Sequence, residues 1–252
     1  MNQADAADAV DETAEPSPGV LYVIGTPIGN RGDLSPRAAG ILRRLDLLAC
    51  EDTRITRRLF PADPGALPDT LAYRDDNEQR QVAALIHALE AGKRVGLVSD
   101  AGMPGISDPG FRIVRACRAK GINVVPVPGP NAAIAALSAS GLPSDRFLFV
   151  GFLPARKAAR RRFFDEQRAA PHTLVLYESC HRILKALDDL EATVGGERIV
   201  CVAREVTKRF ETILTGPLAR VRPEVEHRAV KGEFVLLIAP EDYRLEPDVA
   251  HG

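Results

Sequence analysis

The chain has 252 residues, of which 45% are hydrophobic and 27% charged, and its formal net charge is -1. This length accommodates one large domain or two of about 120 residues, and the composition is that of a folded globular protein. There is no apolar stretch of the roughly 18–20 uncharged residues that a membrane span needs and no signal-peptide pattern, so we expect no membrane association. The balanced charge argues against a globally basic nucleic-acid binder, although a local basic patch remains compatible with it.

The four cysteines are widely separated in the sequence: Cys50, Cys117, Cys180 and Cys201. No two of them form a CxxC pair, so their spacing is not that of zinc ligands, and they suit a reducing compartment. We therefore expect no metal site and a cytoplasmic protein.

The first half of the chain alternates short apolar strands with helices. Residues 1–18 contain five acids and no Lys or Arg, which predicts a disordered acidic tail. Beyond this tail we predict strands at 20–24, 47–50, 95–98 and 124–127, and helices at 35–45, 77–91 and 111–120. Continuous apolar strands that alternate with helices are typical of a parallel sheet covered on both faces.

The second half contains more strand per residue. We predict helices at 131–140, 155–169 and 183–190, and strands at 146–152, 173–177, 199–204, 210–215 and 234–238. This pattern favours a mixed sheet, so the expected fold class is α/β with two α/β domains. We expect domains at 19–127 and 128–240, followed by a C-terminal tail at 241–252.

Three loops rich in glycine and proline, 25–30, 99–110 and 128–131, each follow an apolar strand. Ligands of open α/β sheets bind at the carboxyl ends of the strands, so we expect the three loops to form one shared site. Glycine lets a backbone approach a ligand closely, and proline fixes the shape of a loop. The chain lacks GxxxxGK[ST], and no GxGxxG follows the first strand, which disfavours a P-loop NTPase and a common dinucleotide-binding enzyme.

Acidic residues also follow predicted strands. The Asp100 carboxylate would accept hydrogen bonds either from the hydroxyls of a ligand or from N–H groups of its own loop. Glu51 and Asp52, with Arg54 close behind, either belong to a site or form a surface ion pair. Glu178 follows a strand in the second half.

A strongly basic stretch coincides with the predicted helix 155–169. It holds six basic residues within thirteen positions, against two acids: Arg156, Lys157, Arg160, Arg161, Arg162 and Arg168. Such a run is usually a solvated face, but guanidinium groups suit phosphate recognition by paired hydrogen bonds. We predict that this stretch contacts RNA phosphates and that Lys208 extends the patch.

Eight motifs together resemble a known family. They are GTPIGN (25–30), ACEDTR (49–54), SDAGMPGISDPG (99–110), VPGPNAA (127–133), SASGLPSDRFLFVGFLP (138–154), YES-x-HR (177–182), AREVTK (203–208) and KGEF (231–234). Their order and spacing, from about Leu21 to Pro240, resemble those of the ribosomal RNA small subunit methyltransferase I family, which is part of the tetrapyrrole methylase superfamily.

The resemblance implies S-adenosylmethionine-dependent 2′-O-methylation of a cytidine in the decoding region of 16S ribosomal RNA. It also implies a homodimer that acts on the small ribosomal subunit, with the cofactor in the cleft between the two domains. The implied cofactor-binding residues match the family's motifs: Pro27, Asp100, Met103, Asn131, Ala132, Ala133, Tyr177, Ala203 and Gly232. Glu178 and Asp52 are the candidates for a general base that takes the proton of the attacking hydroxyl, unless a water or the RNA itself takes it.

The sequence departs from the family at three places. Arg74-Asp75-Asp76-Asn77-Glu78 stands where a His-Glu-His-Asn-Glu-like segment is common, and Cys180 stands where proline is usual. Many members continue into a small helical C-terminal module, so we expect this protein to rely more on its basic helix and dimer groove. Two alternatives stay open: a methyltransferase of the same superfamily with a tetrapyrrole or protein acceptor, and a non-catalytic RNA-binding module.

Overall fold

A computed structural model describes residues 16–60, 67–228 and 231–245. The chain divides into two compact units, Met1–Pro130 and Asn131–Gly252. Most of the predicted acidic tail (1–15 of 1–18) and most of the predicted C-terminal tail (246–252 of 241–252) lie outside the described residues. Within the first tail, Pro16 is buried, and the Ser17 amide donates a hydrogen bond to the Tyr22 hydroxyl at 2.7 Å.

The first unit is built on a five-stranded parallel sheet. Its elements are β1 (Leu21–Ile24), α1 (Pro36–Leu42), β2 (Leu47–Cys50), α2 (Thr53–Thr56), β3 (Asp69–Ala72), α3 (Glu78–Glu90), β4 (Val95–Val98), α4 (Phe111–Ala119) and β5 (Val124–Val127). The strand order is β3-β2-β4-β1-β5, and every pair is parallel. This arrangement confirms the parallel sheet predicted for the first half.

Helices cover both faces of this sheet. In β1, Leu21 and Val23 face a core shared with α3 and α4, whereas Tyr22 and Ile24 face a second core shared with α1. Both faces of the strand are therefore apolar, which explains why the sequence shows no polar alternation there. Ser35 caps α1, since its hydroxyl accepts a hydrogen bond from the Ala38 amide at 3.1 Å.

The second unit is built on a five-stranded mixed sheet. Its elements are α5 (Ala132–Ala139), β6 (Phe147–Phe152), α6 (Lys157–Glu166), β7 (Thr173–Ser179), α7 (Ile183–Val194), β8 (Ile199–Arg204), β9 (Thr212–Pro217), α8 (Leu218–His227) and β10 (Glu233–Ile238). The order is β6-β7-β10-β8-β9, in which only β6 and β7 run parallel. The mixed sheet predicted for the second half is confirmed.

The two faces of the mixed sheet have different coverings. Leu174 and Leu176 of β7 face the large core formed with α6, α7 and α8. Tyr177 points to the other face, where its hydroxyl accepts a hydrogen bond from the Ala133 amide of α5 at 3.3 Å. The side chains of β7 therefore alternate between this core and the face on which α5 lies.

Two further properties concern the described part of the chain. None of its helices is both long enough and apolar enough to span a bilayer. Within the same ranges, no group of three or more His, Cys, Asp or Glu side chains is arranged to hold a metal ion.

Candidate functional site

The first two predicted loops are joined by backbone hydrogen bonds. Thr26 and Gly102 form an antiparallel bridge, with N–H to carbonyl distances of 2.9 and 3.1 Å in the two directions. The Thr26 hydroxyl adds a bond to the Ser99 carbonyl at 3.2 Å. Since β1 and β4 are adjacent parallel strands, both loops leave the same edge of the sheet.

The third loop packs against the first at a pair of glycines. A Cβ on Gly25 would lie 2.6 Å from the Cα of Gly129 and 2.6 Å from the Sδ of Met103. No side chain fits there, so the backbones of the two loops are in direct contact and the Met103 thioether covers Gly25. The structure therefore brings together the three loops, with half-buried Pro27 directly after Gly25 and Thr26.

Carboxylates collect at the same edge of the first sheet. Burial, together with the charge of Glu51, raises the pKa of Asp108 to about 6. Burial also raises the pKa of Asp100, and the charge of Asp52 adds to this effect. The pKa of Glu51 is raised in the same way by burial and by the charge of Asp100. Asp100 Oδ1 accepts a hydrogen bond from the Asp52 amide at 3.0 Å, so one of its oxygens bonds a backbone N–H. The arrangement gives this edge a negative potential that suits a cationic ligand.

Asp52 has a local structural role. It caps α2, and its Oδ1 accepts a hydrogen bond from the Arg54 amide at 2.8 Å. The Arg54 guanidinium, whose Nη2 lies 2.6 Å from Oδ2, holds the pKa of Asp52 well below its usual range. A carboxylate of such low basicity is a poor proton acceptor at neutral pH.

In the second unit, several predicted cofactor residues lie on one face of the sheet. Strand pairing puts Phe152, Tyr177, Val235 and Ala203 in one row across β6, β7, β10 and β8. Directly paired residues point to the same face, and Tyr177 bonds the Ala133 amide there. Asn131 caps α5 through its side-chain oxygen, which accepts from the Ile134 amide at 3.1 Å, and Ala132 begins the helix.

Gly232 lies directly before β10 and is covered by Glu205. Its φ of +91° is in the region that favours glycine, and a Cβ there would lie 2.3 Å from Glu205 Oε1. The same oxygen accepts hydrogen bonds from the Glu233 amide at 3.0 Å and from the Lys208 ammonium at 2.9 Å. The sequence reasoning missed Glu205 as the side chain that fixes this turn, although its position directly after a strand was visible.

The Glu178 side chain is entirely buried on the core face. Glu178 pairs with Phe234, a member of the core shared with the helices, and thus points away from the face of Tyr177. Its side chain is 0% exposed, and its Oε2 lies 3.3 Å from Arg182 Nη2. These surroundings suit a structural ion pair better than a group that meets a substrate hydroxyl.

The basic residues of α6 and its N-terminal flank fall into two groups. Arg156, Lys157, Arg161 and Arg162 are exposed. Arg160 is only 4% exposed, and its guanidinium pairs with buried Asp189 of α7, so its assignment to RNA phosphates is corrected: it is a core residue.

Lys208, the predicted extension of the patch, is less available than the exposed residues of α6. Its ammonium lies 2.9 Å from Glu205 Oε1 and 2.6 Å from Glu233 Oε2. Two carboxylates thus already neutralise this cation.

Glu78 is a second residue whose role the sequence did not reveal. It is buried, and its Oε1 accepts from the Tyr73 hydroxyl at 2.9 Å and from the Gly110 and Arg112 amides at 3.1 and 3.2 Å. It therefore anchors the end of the 99–110 loop and the start of α4 to the start of α3. This finding explains why a glutamate at this position is useful even though the histidines of the family pattern are absent from 74–78.

Comparisons with known proteins agree with this architecture. The sequence model of the tetrapyrrole (corrin/porphyrin) methylases matches residues 20–222. Among solved structures, the methyltransferase CobJ has a TM-score of 0.65 at 20% identity, covering 91% of this chain and 97% of that one. A cobalt precorrin-4 methyltransferase has a TM-score of 0.62 at 16% identity, covering 88% and 95%. At these identities the solved structures establish the fold.

Curated relatives are much more similar in sequence. The ribosomal RNA small subunit methyltransferase I of Xylella fastidiosa (strain Temecula1) is 51% identical over 88% of this chain and 82% of its own length. The protein of the same name from Escherichia coli O157:H7 is 48% identical over 90% of this chain and 80% of its own length. The chain belongs to the tetrapyrrole methylase family and, within it, to the methyltransferases named ribosomal RNA small subunit methyltransferase I.

Proposed function

We propose that this protein uses S-adenosylmethionine to methylate the 2′-hydroxyl of a cytidine in the decoding region of 16S ribosomal RNA. The observation that carries the proposal is the 51% identity, over 88% of the chain, to a protein named ribosomal RNA small subunit methyltransferase I. The exposed basic residues of α6 support an RNA substrate.

The residues proposed to hold S-adenosylmethionine have chemistry that fits it. When bound, this molecule supplies a methyl group already activated on a sulfonium. In the first unit, we propose contacts from Pro27, Asp100 and Met103, at an edge whose carboxylates favour a cation.

In the second unit, the proposed contacts come from six residues of the α5 face and the adjoining turn: Asn131, Ala132, Ala133, Tyr177, Ala203 and Gly232. The alanines carry only a methyl group, as close approach of a flat base or a folded chain requires. Tyr177 is held by the Ala133 amide, so its ring has a fixed orientation.

We infer that neither of the two candidate bases acts as one. Asp52 is paired with Arg54 and weakly basic, and Glu178 is buried beside Arg182. With an activated methyl donor, alignment of the two reactants supplies most of the rate increase, and the proton passes to water or to the RNA. Glu178 is then a positioning residue.

We further propose a cytoplasmic homodimer that acts on the small ribosomal subunit. The cysteines support a reducing compartment, because all four are free and three of them, Cys50, Cys117 and Cys201, are buried. The dimer follows from the family resemblance, and sedimentation of the purified protein at micromolar concentration tests it.

The decisive experiment compares 16S RNA from cells with and without the gene. Mass spectrometry is expected to find one 2′-O-methyl cytidine lost in the deletion strain and restored by the intact gene. Purified protein should transfer labelled methyl groups to small subunits isolated from the deletion strain and should leave a porphyrinoid acceptor unlabelled. An unchanged 2′-O-methyl cytidine level, or labelling of the porphyrinoid, would overturn the proposal.

A further inference from the structure

A β-bulge in the edge strand β6 determines where Phe152 points. Phe149 pairs with Val175, but the next pairs are Gly151 with Leu176 and Phe152 with Tyr177, so β6 holds one extra residue. Uninterrupted pairing would put Phe152 opposite Glu178, on the core face. Gly151, at φ +74°, supplies the conformation that the bulge needs, and the bulge moves Phe152 to the face of Tyr177.

The Phe152 ring is supported but not covered. It contacts the Tyr177 ring edge-on at a centroid distance of 5.8 Å, and Phe149 braces the same tyrosine at 5.0 Å. Nevertheless, 57% of Phe152 is exposed. A rigid aromatic ring open to solvent is a surface on which a nucleic-acid base stacks with little loss of side-chain entropy.

Two arginines, buried Arg160 and half-buried Arg182, fix the turn that follows Phe152. Arg182 Nη2 donates to the Leu153 carbonyl at 2.7 Å and to the Pro154 carbonyl at 3.1 Å. Arg160 Nη1 donates to the Pro154 carbonyl at 3.4 Å and to the Ala155 carbonyl at 3.3 Å. The turn is thus held by two guanidinium groups, which in turn pair with buried acids.

The chain emerges from this turn at Arg156 and Lys157, both exposed. Within the described residues, neither side chain is in an ion pair with an acid, unlike Arg160 and Arg161, which share Asp189. Two available cations thus follow an exposed aromatic ring by four and five positions on a rigid turn. This combination is typical of single-stranded nucleic-acid binding.

We propose that Phe152, Arg156 and Lys157 form one RNA-binding platform, on which a base of the substrate RNA stacks against Phe152 while the two cations contact its phosphates. The inference rests on the proposed function and adds to it a residue that positions the acceptor strand. It also assigns a structural role to Glu178 and Asp189, because their ion pairs hold the two arginines that fix the turn.

The test uses Phe152→Leu, which keeps apolar bulk and removes the aromatic face, and Phe152→Trp, which restores it. Phe147→Leu is the matched control: it changes another exposed phenylalanine of the same strand, 42% exposed, at the end away from the basic turn. The readouts are kcat and KM for small ribosomal subunits, the Kd for S-adenosylmethionine by calorimetry, and the sedimentation coefficient. A 2-aminopurine oligonucleotide that copies the single-stranded decoding region reports stacking directly by fluorescence quenching.

Phe152→Leu is expected to raise the KM about tenfold and to abolish most of the quenching, with an unchanged Kd for S-adenosylmethionine. Phe152→Trp should restore both, and Phe147→Leu should behave like the wild type. A normal KM and normal quenching in Phe152→Leu would overturn the platform. A sedimentation coefficient of Phe152→Leu that differs from that of the wild type would also overturn it, because a second copy of the chain would then cover this face. If the wild type methylated no RNA, the proposed function would fail, whereas the quenching assay would still decide whether Phe152 stacks on a base.

Discussion

Arg160 and Arg162 lie two positions apart on α6, yet their side chains have different surroundings. Arg160 is buried against Asp189, whereas the Arg162 side chain is 76% exposed. The sequence shows two equivalent arginines, because the partner that separates them lies on another helix, 29 residues further along the chain.

We expect Arg160→Ala to lower the free energy of unfolding by about 3 kcal/mol, because it leaves the buried Asp189 with Arg161 alone. Arg162→Ala should change it by less than about 0.5 kcal/mol and should instead weaken RNA binding. Urea denaturation measures the first effect and fluorescence anisotropy with an RNA fragment the second. Equal stability losses in the two variants would contradict this division.

Glu178→Gln tests whether a buried carboxylate acts as a base. Because the side chain lies on the core face beside Arg182, we expect the single-turnover methylation rate at saturating substrates to fall less than tenfold. Removal of a general base costs roughly 10²–10⁴-fold. A loss of that size, together with a changed pH profile of the remaining rate, would restore Glu178 as the base.

The raised pKa of Asp108 predicts that the free energy of unfolding depends on pH. Its pKa in the folded protein, about 6, is above the ordinary value because of burial and the charge of Glu51. The folded state therefore holds this proton more tightly than the unfolded chain, and the wild type loses stability as the pH rises from about 4 to 6. Asp108→Asn should gain about 1 kcal/mol over the wild type at pH 7.5, after allowance for solvent screening, and little at pH 4.

Urea denaturation of both proteins at the two pH values checks this sign. A stability difference that stays constant between pH 4 and pH 7.5 would show that Asp108 titrates normally in the folded protein.

At the scale of elements, periodicity located most helices and strands. The predicted strand 199–204 coincides with β8, and the predicted helix 111–120 ends one residue beyond α4. The predicted strand 210–215 begins two residues before β9 and omits the last two residues of β9, Gly216 and Pro217.

Three elements were not predicted, for physical reasons that the structure supplies. The edge strand β3 begins with two exposed residues and thus lacks the apolar run of a central strand. Helix α8 contains Pro223, which normally argues against a helix interior, and α2 is a single turn. The bulge of β6 was equally invisible, because it depends on the register with β7 rather than on the sequence of β6.

The candidate site, like the fold, could be predicted where it depends on the order of elements along the chain, but not where it depends on tertiary contacts. The three loops could be predicted to meet, since parallel strands end at one edge of a sheet. What could not be predicted is which side chains the fold would bury, as it buries Glu178 and Arg160. That choice depends on the face of the strand or helix and on partners distant in the sequence.

The contact between the loops after β1 and β5 can be tested by adding one carbon atom. We expect Gly25→Ala to cost about 2–3 kcal/mol of stability and to weaken S-adenosylmethionine binding, because the new Cβ would lie 2.6 Å from Gly129 Cα. Gly216→Ala is the control, since its Cβ would meet Val221 at an ordinary 3.7 Å. Calorimetric binding with Gly25→Ala as tight as that of the wild type would show that the ligand does not depend on this packing.

At the scale of the whole molecule, the net charge of -1 conceals an uneven distribution. The carboxylates Glu51, Asp100 and Asp108 lie at the edge of the first sheet, whereas the exposed cations lie at α6 of the second unit. The average over the chain is therefore a poor guide to what either surface binds.

The number of exposed cations sets an expected salt dependence. If Arg156, Lys157, Arg161 and Arg162 each contact one phosphate, log K for a single-stranded RNA fragment should fall with log salt concentration with a slope of about -3. Fluorescence anisotropy between 50 and 300 mM salt, about the range in which such slopes are measured, gives this value. A slope steeper than about -6 would mean that a second basic surface binds RNA.

The strand order of the first unit has a consequence for synthesis on the ribosome. β1 pairs only with β4 and β5, so a growing chain that has reached residue 90 still has no partner for Leu21–Ile24. This interior strand meets its first partner, β4, about 70 residues later and its second, β5, about 100 residues later, and its apolar side chains stay accessible meanwhile. We therefore expect nascent chains of this protein to be held by chaperones until β5 has left the exit tunnel, with the first unit closing in a single late step.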